Sequence, residues 1–313
     1  MEYRKLGGTT LEVSLLGFGA SPLGDVFGAT DATERVSAVH LAIDRGINFF
    51  DVSPYYGLTL AEERLGEALA GHRHRVLLAT KVGRYGASDF DFSAGRVTAS
   101  IDESLKRLQT DYVDLLQAHD VEFGDVQQII DETIPALRKI QMQGKARFIG
   151  ITGLPLTTLV RIAEAVPVDT ILSYCRYNLM VADMDDVLLP VVKKLGIGLI
   201  NASPLHMGVL TKQGAPAWHP APAEVREAGK RVDELCRAHG VDVTAVALRF
   251  CLDHPYVSTT LVGMATRQHV EANLNLLGIA TDRTLVAEVR ALLGPSFNHI
   301  WPSGLPRNGD GAH

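Results

Sequence analysis

The sequence is short of cysteine, with only Cys175, Cys236 and Cys251 in 313 residues. They lie far apart, without CxxC or Cys/His ligand spacing, and an odd number makes a poor disulfide framework. The expectations are a reducing, cytosolic compartment and no metal. Long apolar runs are missing as well. No stretch approaches the ~18 residues that suggest a membrane-spanning helix, and the opening MEYRKLGGTTLEV lacks the apolar centre of a secretory leader, so no membrane association is expected. Positive charge is scarce: 30 Lys+Arg stand against 36 Asp+Glu, a net charge of −6 at pH 7. Without a basic stripe there is little to hold a phosphate backbone, which argues against nucleic acid as a partner. Low-complexity tracts and repeats shorter than a βα unit are lacking, and without GxSxG a serine hydrolase has no nucleophile elbow. A small-molecule substrate is expected, handled by a monomer or weak homo-oligomer.

Short aliphatic runs alternate with longer amphipathic stretches, the pattern of a parallel sheet covered by helices. After a hairpin at 3–13, whose GGTT is a turn signal, strands are predicted at 14–19, 47–52, 75–82, 112–119, 146–152, 169–174, 197–202 and 257–263. Helical spacing covers 32–45, 59–71, 94–109, 126–144, 155–165, 183–195 and 222–253, the last long enough for two helices. Eight alternations without a linker predict an α/β fold, one (β/α)8 TIM barrel over 1–305, followed by a flexible polar tail at 306–313. The longest irregular stretches, 203–221 and 295–313, are candidates for function.

Reactive side chains in such a barrel come from the C-terminal ends of strands. Asp51 ends the second strand, Tyr56 lies just beyond it, Lys81 ends the third and His119 ends the fourth. A Tyr phenol titrates near about 10, and a neighbouring ammonium lowers that value. Lys81 can supply the cation, Asp51 its counter-ion, and His119 a neutral donor to a substrate oxygen. Singly each residue reads as packing, snorkelling or structural; at equivalent ends of three consecutive strands they read together as an acid–base site. Asp51, Asp120 and Glu122 also allow a barrel glycosidase, although such carboxylates are more often ion-paired or solvated. GFGASPLG offers Gly17, Gly19 and Gly24, but Pro22 breaks GxGxxG, so no Rossmann turn is expected. His206, His219 and His299 read as surface or supporting residues, and Glu62 and Glu63 as the exposed start of a helix.

The segments GINFFDVSPYYG, LLATKVGRY and DYVDLLQAHD, with Asp51, Tyr56, Lys81 and His119 in this order and spacing, resemble the aldo-keto reductase family. GFGASPLG, FDFSAGRV, GKARFIGITGLPL, ILSYC, WHPAP, LVGM and WPSG are similar to its aldose 1-dehydrogenases, and the resemblance runs from about Arg4 to Trp301. It implies a barrel that binds a nicotinamide without a Rossmann domain and oxidises an aldose such as L-galactose, L-fucose or D-arabinose at C1. In that scheme Tyr56 transfers the proton, Lys81 and Asp51 tune it, and His119 orients the reacting oxygen. The resemblance puts Gly19, Ala20 and Ser21 at the cofactor, Thr152 and Gly153 beside its carboxamide, and Ser173 and Tyr174 where a Gln is common. Ser203 and Leu205 fall in the pyrophosphate loop, and Ala202 stands where an aromatic ring often stacks. Gly263, Met264, Ala265, Thr266, His269 and Asn273 would bracket the adenosine end. Only Arg267 is basic there, which favours NAD over NADP, since a 2′-phosphate calls for a cationic partner. Ser21, Asp25, His119, Asp120, Arg176 and Trp301 are candidate substrate contacts, with Trp301 either a stacking wall or a packing anchor. Two alternatives stay open: an NADPH-dependent reductase of aldehydes or ketones, and a catalytically silent cofactor-binding regulatory subunit.

Overall fold

Alternation of side chains decides which face each strand turns to the lumen. In the computed structural model, which describes residues 1–310, the strands β3 (Leu16–Gly19), β4 (Phe49–Asp51), β5 (Leu77–Val82), β6 (Val113–Ala118), β7 (Ala146–Gly153), β8 (Thr170–Tyr174), β9 (Gly198–Ala202) and β10 (Thr259–Gly263) pair in parallel and close into a barrel, β10 beside β3. Each lies within two residues of its expected ends. Phe49, Ala79, Leu115, Leu172, Ile200 and Leu261 pack in the lumen, while neighbours such as Phe50, Leu78 and Leu116 face the helices.

The hairpin β1 (Tyr3–Lys5) and β2 (Glu12–Ser14) sends Leu6, Leu11 and Val13 into the lumen cluster and so closes the barrel's N-terminal end. Gly7, at φ +55°, passes so close to Gly198 that a Cβ would lie 2.2 Å from its nitrogen. Only glycine permits that approach.

Around the barrel run α1 (Ala32–Asp44), α2 (Leu60–Ala68), α3 (Ala94–Arg107), α4 (Val126–Gln128), α5 (Ile134–Met142), α6 (Leu156–Ala165), α7 (Met184–Val187), α8 (Leu189–Leu195), α9 (Ala223–Ala238), α10 (Val243–Leu252), α11 (Arg267–Leu274) and α12 (Arg283–Leu293). The stretch expected as one helix over 126–144 widens into a π turn at Ile129–Thr133, just before Pro135. Pro190 marks the similar break between α7 and α8. A proline there cannot donate to the carbonyl four residues back, so the helix widens or breaks. No helix among the described residues is long and apolar enough to cross a membrane.

Two expectations are corrected. Residues 306–310 are not a flexible tail: Asn308 is buried, and its amide donates at 2.8 Å to the carbonyls of both Glu122 and Gly124. Asp310 accepts from Arg176 at 2.6 Å; residues 311–313 of that expected tail lie outside the described residues. Glu62 is fully buried rather than exposed, paired with Arg107 at 2.7 Å and accepting from Thr80 Oγ1 at 2.5 Å.

Candidate active site

Strain gathers at one end of the barrel. Among the described residues ten non-glycine positions have positive φ, and eight of them, Asp25, Leu58, Thr59, Asp120, Cys175, Ser203, His206 and Met207, lie in loops that follow strand C-termini. Such conformations persist where the surroundings enforce them, often at functional sites.

The two-residue period builds the chemistry at that end. Asp51 continues the lumen face of Phe49, Lys81 that of Ala79, and Gln117 and His119 that of Leu115. Lys81, 1% exposed, is ion-paired with Asp51 Oδ1 and donates to the Val52 carbonyl at 2.9 Å. Gln117 Nε2 holds Asp51 Oδ2 at 3.0 Å. Burial pulls the Lys81 ammonium down, but Asp51 and then Tyr56 outweigh it, so its pKa is raised and it stays protonated. Its Nζ lies 4.8 Å from the Tyr56 ring centroid.

Tyr56 departs from the sequence expectation. Burial is the largest influence on its phenol and pushes it up to about 12, against the pull of Lys81, with Asp51 and Asp120 adding to the rise. The cation is where the sequence suggested, but desolvation wins, and the free phenol is neutral at pH 7.

His119 is buried and its pKa falls to about 3, mainly through burial. Its ring stands perpendicular to that of Tyr56, centroids 5.7 Å apart. Ser53 Oγ accepts from Tyr55 N at 3.1 Å and lies 2.9 Å from His119 Nδ1. With the serine hydroxyl donating to Nδ1, the neutral imidazole carries its proton on Nε2. Asp120 Oδ2, 3.6 Å from Nε2, is engaged instead by Arg84, whose guanidinium lies 3.8 Å from the Tyr55 ring centroid.

Ser53 and Gln117 were missed by the sequence reading although the signal existed, since both sit two residues from a member of the tetrad on the same strand face. Arg84 had no comparable signal.

The expected cofactor residues fall on the same rim, at the ends of β3, β7, β8, β9 and β10. Gly19 and Gly263 are register partners, and a Cβ on Gly263 would meet Pro22 at 2.9 Å. Ala20 is buried, and Ser21 opens a short 3₁₀ turn. Ser173 Oγ is buried without a partner among the described residues, and Tyr174 pairs in register with Ala202. Ser203 and Leu205 lead into the loop after β9. Thr266 caps α11 by accepting from His269 N at 3.2 Å, while Met264, Ala265 and Asn273 are buried behind it. Side-chain-free backbone, an unpartnered hydroxyl and a helix N-terminus are donor sets that fit a dinucleotide.

Three expectations shift. The Thr152 hydroxyl, expected beside a carboxamide, accepts from Asp120 N at 2.9 Å and lies 3.4 Å from Asp120 Oδ1, so it is already engaged. Trp301 is buried edge-on against His206 and His219, centroids 5.0 and 4.8 Å away, which is the anchoring role; both histidines are themselves buried, not at the surface. Among the substrate candidates, Arg176 is taken by Asp183 and Asp310, and Asp25 by Arg64 at 2.8 Å.

A (β/α)8 barrel with a phenol, an ammonium–carboxylate pair and a neutral imidazole at its C-terminal mouth defines an acid–base site for reactions at an alcohol or carbonyl carbon. The chain belongs to the aldo/keto reductase family, whose sequence pattern matches residues 15–293. It is 49% identical to the L-galactose dehydrogenase of Arabidopsis thaliana over 98% of this chain and 99% of that one. It is 30% identical to the D-arabinose 1-dehydrogenase of Saccharomyces cerevisiae over 88% of this chain and 90% of the relative. Among solved structures, the holo form of aldo-keto reductase AKR11C1 from Bacillus halodurans superimposes with a TM-score of 0.79 at 27% identity, covering 96% of this chain and 98% of that one.

Proposed function

We propose that the protein is an NAD-dependent aldose 1-dehydrogenase that oxidises L-galactose, or a sugar of related stereochemistry such as L-fucose or D-arabinose, to the lactone. The observation that carries this reading is the buried Asp51–Lys81 pair beside Tyr56, with neutral His119 facing the same phenol. The full-length similarity to an L-galactose dehydrogenase supports the choice of sugar.

When bound, the nicotinamide supplies the acceptor for the hydride that leaves C1. The chain handles the proton. His119 Nε2–H holds the C1 oxygen, and the Tyr56 phenolate, its own proton already released to solvent, takes that oxygen's proton. Because burial holds the phenol near 12, the Lys81 ammonium is what makes the phenolate attainable at all, and Asp51 with Gln117 keeps that ammonium charged and aimed. Gly19, Ala20, Ser21, Ser173, Ser203, Leu205, Gly263 and the first turn of α11 would hold the cofactor. Glu34 Oε2 accepts from Arg267 N at 3.4 Å at the start of α11, and a carboxylate there supports NAD by opposing a 2′-phosphate.

Initial rates with aldoses and NAD or NADP, set against aldehydes and NADPH, test the proposal. NAD reduction by L-galactose or a related aldose is the expected outcome, with turnover lost in Tyr56→Phe. A folded Tyr56→Phe protein with full turnover, or turnover only with NADPH and aldehydes, overturns it.

A further inference from the structure

The loop after β6 buries an acid that the chemistry above does not use. Glu122 has no accessible surface, and among the described residues no cation pairs with it; the charge acting on it is the like charge of Asp120. Its Oε1 accepts from Leu154 N at 3.2 Å, Tyr174 Oη at 3.2 Å and Ser303 Oγ at 3.0 Å, whereas Oε2 has no partner. Oε2 fills the place of a side chain at 153, since a Cβ on Gly153 would lie 2.8 Å from it. The Glu122 carbonyl accepts from Leu305 N at 2.9 Å and Asn308 Nδ2 at 2.8 Å, and Gly304 passes so close that a Cβ would fall 2.4 Å from that oxygen.

One residue thus joins the end of β7, the end of β8 and the strap Ser303–Asn308. We propose that Glu122 is a positioning residue that, as a neutral acid, pins the Tyr174 ring and the C-terminal strap to the rim of the barrel mouth. A buried carboxylate without a cation is strongly disfavoured, so its oxygens divide into a carbonyl accepting three donors and a hydroxyl. Burial first, and Asp120 second, push its pKa up to about 8. The titratable groups facing it are Asp120 and Tyr174; the strap and the β7–α6 side present Ser303, Leu305, Asn308, Gly153, Leu154 and Leu159, none of which titrates. Charging Glu122 places an anion beside Asp120 in a dry site, and displacement of the strap admits water to it.

The strap carries its own reporter, because Trp301 is buried two residues before Ser303. With Trp218→Phe removing the other tryptophan, Trp301 emission should shift to the red between pH 7 and 9 with a midpoint near 8. Glu122→Gln should abolish the transition, and Asp120→Asn should move the midpoint to lower pH. A flat wild-type profile, a transition that survives in Glu122→Gln, or an unmoved midpoint in Asp120→Asn overturns the inference. The binding arm rests on the proposed function: the NADH dissociation constant should rise about tenfold from pH 7 to 9 if only the neutral form binds, and not in Glu122→Gln. A midpoint near 8 that Glu122→Gln abolishes, in a chain that binds no NADH at either pH, supports the clamp and sinks the oxidoreductase reading instead.

Discussion

Ser53 Oγ lies 2.9 Å from His119 Nδ1, a contact that orients the imidazole facing Tyr56. Ser53→Ala leaves a buried ring nitrogen unsatisfied and the imidazole free to rotate or change tautomer. Removing one partner of a buried hydrogen bond costs about 1–3 kcal/mol, so kcat/KM for the aldose should fall roughly five- to 150-fold. Steady-state kinetics beside a thermal melt check this. An unchanged kcat/KM in a folded variant would show that the serine does not set the imidazole.

Lys81 and Asp51 form a pair with almost no exposure, so removing one partner strands the other. Lys81→Met should destabilise the protein by about 3–5 kcal/mol, because an uncompensated carboxylate remains buried. The double variant Lys81→Met/Asp51→Leu should regain most of that stability and none of the activity. Urea unfolding of the three proteins measures it, and a double variant no more stable than Lys81→Met would mean that the stranded charge is not the source of the loss.

The strands were legible because each is a short apolar run bounded by turn residues, and the tetrad because a barrel gathers consecutive strand ends. Gln117 and Ser53 were readable in principle, two residues from His119 and Asp51 on the same faces. Other features depend on partners distant in sequence. Glu62 looked exposed because Arg107, which buries and pairs with it, lies 45 residues away. Glu122 looked like one more solvated acid because Ser303, which covers it, lies 181 residues away. The tail at 306–310 looked mobile because polarity and glycine say nothing about the two carbonyls waiting for Asn308. For Tyr56 the cation was visible in the sequence, but the desolvation that overrides it comes from the packed mouth.

His206 gives a pH prediction outside the proposed chemistry. It is fully buried, with Nδ1 3.0 Å from Asn178 Nδ2, and burial lowers its pKa from 6.5 to about 3. A depressed folded pKa means that below about 6.5 the unfolded chain takes a proton the native one refuses, so its contribution is complete above that pH and lost as pH falls toward 3. The loss is ~1.4 kcal/mol per pH unit. Buried His119 adds a like slope, so comparison with His206→Asn isolates this residue. The stability gap between the two proteins should narrow by about that slope from pH 6 to 4. A gap constant over that range in denaturant titrations would mean that His206 is protonated in the native state.

On the proposed reading, cofactor choice turns on the contact between Glu34 and the first turn of α11. The Glu34 carboxylate accepts from Arg267 N at 3.4 Å, and the Arg267 guanidinium lies 3.8 Å from Glu271. If the adenosine end lies at α11 as proposed, Glu34 and Glu271 offset the Arg267 cation that a 2′-phosphate would need, whereas the hydroxyls of a bare ribose can donate to Glu34. Glu34→Arg removes the repulsion and adds a bidentate donor beside Arg267. The ratio of kcat/KM with NADP to that with NAD should rise at least about tenfold, and raising the salt should shrink the gain, as expected for exposed charges. Because the substitution sits on the outer side of the rim, kcat with saturating NAD should stay near its original value. A ratio that does not move would place the adenosine end of the cofactor elsewhere than at α11.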